Sequence, residues 1–144
     1  EIAQRAAAEH RRRAEEAERM RQMRLDQALL ETYRSLQDLD SRRDRELREL
    51  DRSIRELRAR ESELLERQRE LIDEATRTDK SEVAASLETD IRLLDSEIVA
   101  QSSVIAAKLR ERGAVVERFE EHRRRYVELT SGPEPMQAPG ALRR

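Results

Sequence analysis

Apolar residues recur along the middle of the chain with the alternating three- and four-residue spacing that is typical of a coiled-coil seam. Between residues 36 and 76 one heptad position is mostly leucine, whereas the other is interrupted by Glu61 and Gln68. These two polar residues are either tolerated in a thin, partly wet seam or fix the register or the oligomeric state of the helices. The seam residues predicted for this first helical arm are Leu47, Leu50, Ile54, Leu57, Leu64 and Leu71.

A second apolar stripe over residues 81–129 predicts a return arm. Its spacing is regular as far as Ile98, and past Gln101 the apolar positions slide, which predicts a stutter in the heptad. Gly113 predicts a soft spot, because glycine in a helix interior costs about 1 kcal/mol relative to alanine. The seam residues predicted for this arm are Leu87, Ile91, Leu94, Ile98, Ile105, Leu109, Val116 and Phe119.

The stretch TRTDKSE (residues 76–82) interrupts the pattern and predicts the tip of a hairpin, with Asp79 and Glu82 as a candidate capping box. The predicted fold is therefore all-α: a long antiparallel coiled-coil helical hairpin over residues 35–129.

The segments on either side of the hairpin have different compositions. Residues 1–34 predict a charged helical extension that is rich in alanine and has large apolar residues only near its end. Ser35 and Asp38 resemble a capping box and favour a break near Arg34, although a continuous helix is the alternative. Residues 130–144 contain three prolines and two glycines, and we expect this tail to be disordered.

Composition narrows the class of protein. Charged residues make up 43% of the chain and aromatic residues 2%, with no tryptophan, which is too little bulk for a compact globule of this length. The 30 basic and 32 acidic residues are interspersed, so no single-sign field suggests a polyanion or membrane partner. The absence of cysteine excludes disulfides and thiolate chemistry.

The sequence as given contains neither a candidate membrane span nor a signal peptide. No apolar run approaches the roughly 18–20 residues that span a bilayer. The chain begins at Glu1 with no signal peptide, and we interpret it as a fragment or processed form.

The motif EHRRR occurs twice, at residues 9–13 and 121–125, and contains both histidines, His10 and His122. Three consecutive helical residues fan over about 200°, so the arginines of one copy do not share a face. Each copy has acidic residues at helical spacing, as in Arg11–Glu15, Arg12–Glu16 and Glu121–Arg125. We interpret both copies as solvated helix faces, with a nucleic-acid or anionic-surface role as the alternative.

No other chemistry is predicted. The histidines lack metal-ligand spacing, and the carboxylates lie on exposed faces rather than in a cleft. We therefore assign no catalytic residue, no cofactor-binding residue, no metal ligand and no small-molecule substrate, and we expect the chain not to be an enzyme.

The segment LLETYRSLQDLDSRRDRELRELDRSIREL (Leu29–Leu57) resembles the coiled-coil region of uncharacterised proteobacterial periplasmic or envelope proteins. The matching elements are Leu29-Leu30-x-Thr32-Tyr33, Arg43-Asp44-Arg45, Leu47 and Leu50-Asp51, and RRRYVELT (Arg123–Thr130) resembles their closing Arg-Tyr-x-x-Leu. Those proteins carry a signal peptide and a small N-terminal domain of unknown function, and their hairpin tip is longer and contains glycine and proline. The resemblance implies a periplasmic or envelope location and carries over no functional residue.

Three functional hypotheses follow. The first is a non-enzymatic coiled-coil scaffold or spacer that mediates protein–protein interaction in a bacterial envelope, with another protein or by self-association as a homodimer. The alternative is a holdase-like chaperone whose helical prongs clamp unfolded clients, which needs exposed apolar residues on the inner faces of the prongs. An arginine-driven binder of nucleic acid or anionic surfaces is the third, and the balanced charge disfavours it.

Overall fold

The computed structural model describes residues 1–131, which form three helices: α1 (Ile2–Thr32), α2 (Leu36–Arg77) and α3 (Ser81–Ser131). No strand occurs in this described part of the chain, and α2 packs against α3, so the predicted all-α helical hairpin is confirmed. Helix α3 continues through Ser131, slightly past the start of the predicted tail at residue 130, and residues 132–144 lie outside the described residues.

The link between α1 and α2 is a true break. Helix α1 ends at Thr32 because Tyr33 is extended, with φ −112° and ψ 128°. The Ser35 hydroxyl accepts the N–H of Asp38 at 3.0 Å, and the Asp38 carboxylate accepts the N–H of Arg34 at 3.0 Å. These bonds satisfy backbone donors that the start of α2 would otherwise leave unpaired. Of the two alternatives left open by the sequence, the break is observed and the continuous helix is not.

The connection between α2 and α3 is shorter than the predicted tip at residues 76–82. Only residues 78–80 are non-helical. The Lys80 carbonyl accepts a backbone hydrogen bond of 3.0 Å from the first turn of α3, and the Thr78 hydroxyl accepts the N–H of Lys80 at 3.3 Å. The N-cap is therefore Lys80, and Asp79 lies one position outside the helix, so the capping box predicted for Asp79 does not form there.

The chain divides into two compact units. Unit 1 consists of Glu1–Arg42 together with α3 from Arg118 onward, and unit 2 is Arg43–Glu117. Unit 1 contains α1, the first turns of α2 and the last turns of α3. Unit 2 contains the remainder of α2 and α3, packed as antiparallel arms.

Most residues predicted for the seam lie where the arms meet. In unit 2 the predicted residues that are buried are Leu50, Ile54, Leu64, Leu71, Leu87 and Ile105, and those that are half-buried are Leu47, Leu57, Ile91, Leu94, Ile98 and Val116. In unit 1, Phe119 is buried. Leu109 differs from the prediction, because 42% of its surface is exposed.

The predicted stutter in α3 is absent. Its less exposed face keeps an unbroken three- and four-residue spacing, through positions 84, 87, 91, 94, 98, 101, 105, 108, 112, 115, 119, 122 and 126. Leu109 and Val116 lie one residue past two of these positions. Lys108 and Val115 occupy the positions themselves, and Val115 is only 3% exposed. The repeat is hidden in the sequence because Gln101, Lys108, Arg112 and His122 occupy it.

Candidate functional site

All three aromatic residues of the protein meet in unit 1, although they make up only 2% of the chain. Tyr33, Phe119 and Tyr126 are each buried, at 5%, 4% and 7% exposure. The ring centroids of Tyr33 and Phe119 are 6.4 Å apart in a tilted arrangement. Such aromatic pairs stabilise a core beyond the area they bury. In a chain so poor in bulky residues, the aromatic side chains are concentrated where α1, α2 and α3 come together.

His122, from the second EHRRR motif, belongs to this aromatic cluster. Its Nδ1 lies 3.1 Å from the Tyr33 hydroxyl, and its ring centroid is 5.8 Å from that of Tyr33 and 6.3 Å from that of Phe119. Burial lowers the pKa of His122 below its ordinary 6.5, and the positive charge of Arg118 lowers it further, while Glu121 opposes the shift. The lowered pKa favours the neutral imidazole, whose unprotonated nitrogen can accept the tyrosine O–H.

Two of the arginines that follow His122 connect the three helices of unit 1. Arg123 donates two hydrogen bonds to Asp40 on α2, at 3.0 and 3.3 Å. Arg125 donates two to Asp26 on α1, at 2.9 and 2.6 Å. Both pairs have the bidentate geometry that makes arginine–carboxylate contacts specific. Consecutive side chains on a helix point in different directions, so the arginines of this motif do not share a face. For the same reason Arg123 reaches α2, whereas Arg125 reaches α1.

These pairs shift the protonation equilibria in the expected direction. Hydrogen bonds from Arg125 hold the pKa of Asp26 below its ordinary 3.8. The Asp40 carboxylate raises the pKa of Arg123 in the same way. Arg125 also bonds Glu128 at 2.9 Å, whereas the Glu121–Arg125 pair predicted from the sequence does not form. The second motif is therefore not the solvated face that the sequence predicted.

The first EHRRR motif has no comparable contacts. Its residues 9–13 are all exposed, and within it Arg13 pairs with Glu9 at 3.0 Å. Among residues 1–131, Arg11 and Arg12 make no ion pair, so the predicted Arg11–Glu15 and Arg12–Glu16 pairs do not form. An arginine that precedes its glutamate by four residues is the less favourable order on a helix. Here the prediction of a solvated face matches the exposure.

An open groove of about 620 Å³ lies beside the cluster in unit 1. Its apolar lining comes from α1, with Leu25, Ala28 and Leu29, and its polar lining includes Glu121 and Arg124 on α3. The described residues contain no group of three or more histidine or carboxylate side chains placed to hold a metal ion. No buried side-chain nitrogen or oxygen in that part of the chain lacks a hydrogen-bond partner.

Unit 2 has its own set of polar bridges between the arms. Gln101 donates to the Leu57 carbonyl at 2.9 Å, and Gln68 donates to the Ile91 carbonyl at 3.3 Å. Arg112 donates two hydrogen bonds to Asp51, at 2.6 and 3.3 Å, and these lower the pKa of Asp51 below its ordinary 3.8. Because Gln68 binds directly to α3, its contacts favour a role in fixing the register over mere tolerance in a wet seam.

Sequence reasoning missed several of these residues because it followed only apolar side chains. Gln101, Arg112 and His122 occupy heptad positions of α3, and Asp40 lies seven residues before Leu47, at the same heptad position of α2. A heptad continued strictly through polar positions would have placed all four between the helices.

No protein-family model, curated protein or solved structure matches this chain. Within residues 1–131, no helix combines the length and the apolar character needed to cross a membrane.

Proposed function

We propose that this protein is a non-enzymatic coiled-coil scaffold or spacer that mediates protein–protein interaction. The observation that carries the proposal is the closed seam of unit 2, whose arms are packed against each other and joined by directional polar bridges. A spacer has to keep a fixed length, and a hairpin keeps its length only when its arms cannot slide.

The polar bridges supply that restraint. Apolar contacts alone hold the register weakly, because a shift of one heptad again places seam positions against seam positions. The same shift would separate the Gln101 amide from the Leu57 carbonyl and the Arg112 guanidinium from Asp51 by about 10 Å. Each lost contact leaves a half-buried polar group without its partner, which costs free energy. The register seen here is therefore favoured over its neighbours.

The flanks of unit 2 offer apolar surface to a partner. Leu93 and Val99 on α3 are 62% and 60% exposed. Leu65 and Ile72 on α2 are seven residues apart, hence on one face, and are 43% and 44% exposed. Exposed apolar residues that recur on one face are typical of interaction surfaces rather than of a fully solvated helix.

A holdase-like clamp would need apolar surface on the inner faces of its prongs, and in unit 2 those faces pack against each other. Binding of a hydrophobic dye separates the two functions. The wild-type chain should bind little dye and should not suppress aggregation of a denatured client protein. Leu64→Asp, which opens the seam, should bind dye, and Leu65→Asp, at the exposed neighbouring position, should not. Dye binding together with suppression of aggregation by the wild-type chain would contradict the scaffold and support the clamp.

The proposal includes no nucleic-acid or anionic-lipid partner. Arg123 and Arg125 already bind aspartates, and basic and acidic residues are interspersed along the remaining surface. Retention of the protein on a heparin column at low salt would argue against this part of the proposal.

The envelope location stays within the proposal and rests on the resemblance described above. Fractionation of the bacterium that encodes the protein, with an antibody against this hairpin, tests it. Recovery with periplasmic markers is expected, and recovery with cytoplasmic markers alone would remove the location and leave the scaffold role intact.

A further inference from the structure

We draw no further inference here: the strongest candidate, the exposed apolar side chains Leu93, Val99 and Val104 on the solvent-facing surface of α3, belongs to the flank of unit 2 already proposed for partner binding, and nothing in the structure shows what covers it.

Discussion

Replacement of Gly113 by alanine should stabilise the protein. Gly113 lies in the interior of α3, which runs from Ser81 to Ser131 without interruption. The weak point predicted at this glycine therefore does not break the helix. A Cβ atom built at this position meets no atom within 4 Å. The substitution therefore adds no clash and no packing contact, and its effect comes almost entirely from the backbone.

The magnitude follows from helix propensity. Glycine is less favourable than alanine by about 0.8–1.0 kcal/mol in a helix interior, because the unfolded chain has more conformations to lose. Gly113→Ala should thus raise the free energy of unfolding by about 1 kcal/mol. For a chain of this size the midpoint of thermal unfolding should rise by about 4 °C.

Circular dichroism during urea unfolding measures the effect, and the neighbouring residue supplies a matched control. Ala114 is exposed in the same turn of α3, so Ala114→Gly should lower stability by about the same 1 kcal/mol. The double variant that exchanges the two residues should be close to the wild-type chain in stability, because both changes act through the helix propensity of the backbone. The reasoning is refuted if Gly113→Ala is neutral or destabilising while Ala114→Gly behaves as expected, because Gly113 would then be required for a contact outside this chain.

Three further predictions use neighbouring or matched residues. Leu64→Ala should lower the free energy of unfolding, followed by circular dichroism, by about 2–4 kcal/mol, whereas Leu65→Ala should lower it by less than about 1 kcal/mol. Equal losses would mean that the side chain of Leu65 is buried in solution. Asp26→Asn should lower the urea midpoint seen by tyrosine fluorescence, which reports unit 1 because both tyrosines lie there, and Glu9→Gln should not. The neutral form of His122 contributes stability that is complete above about pH 6.5 and is lost as pH falls through its lowered pKa, since the unfolded chain binds the proton more readily. The same midpoint should therefore fall as the pH is lowered below about 6.5, and a fall that persists in His122→Gln would contradict this assignment.

The helices and their ends are largely local properties, and the sequence alone predicted most of them. Alternating apolar spacing predicted the two arms, and the serine and aspartate at positions 35 and 38 predicted the start of α2. The cap at the tip was placed one residue too early, because Asp79 looks like an N-cap and Lys80 does not. The Thr78 hydroxyl accepts the N–H of Lys80 instead, and the first intrahelical bond runs from the Ala84 N–H to the Lys80 carbonyl.

The sequence alone could not show which residues of α3 face α2 after Gln101. Apolar residues there suggest a sliding register, yet α3 keeps its heptad because long polar side chains can occupy a seam when their ends find partners. Gln101 finds the Leu57 carbonyl and Arg112 finds Asp51. Those acceptors are 44 and 61 residues away along the chain, so no local pattern specifies them.

The two EHRRR motifs separate what the sequence determined from what the tertiary structure decided. Identical residues made both motifs helical, because helix formation depends on side chains and neighbours within a turn or two. Only the fold placed His122 beside Tyr33 and Arg125 against Asp26, while His10 stayed in solvent. Burial and ion pairing depend on which helix lies alongside. Which helix packs alongside is a property of the whole chain, so a five-residue motif does not determine it.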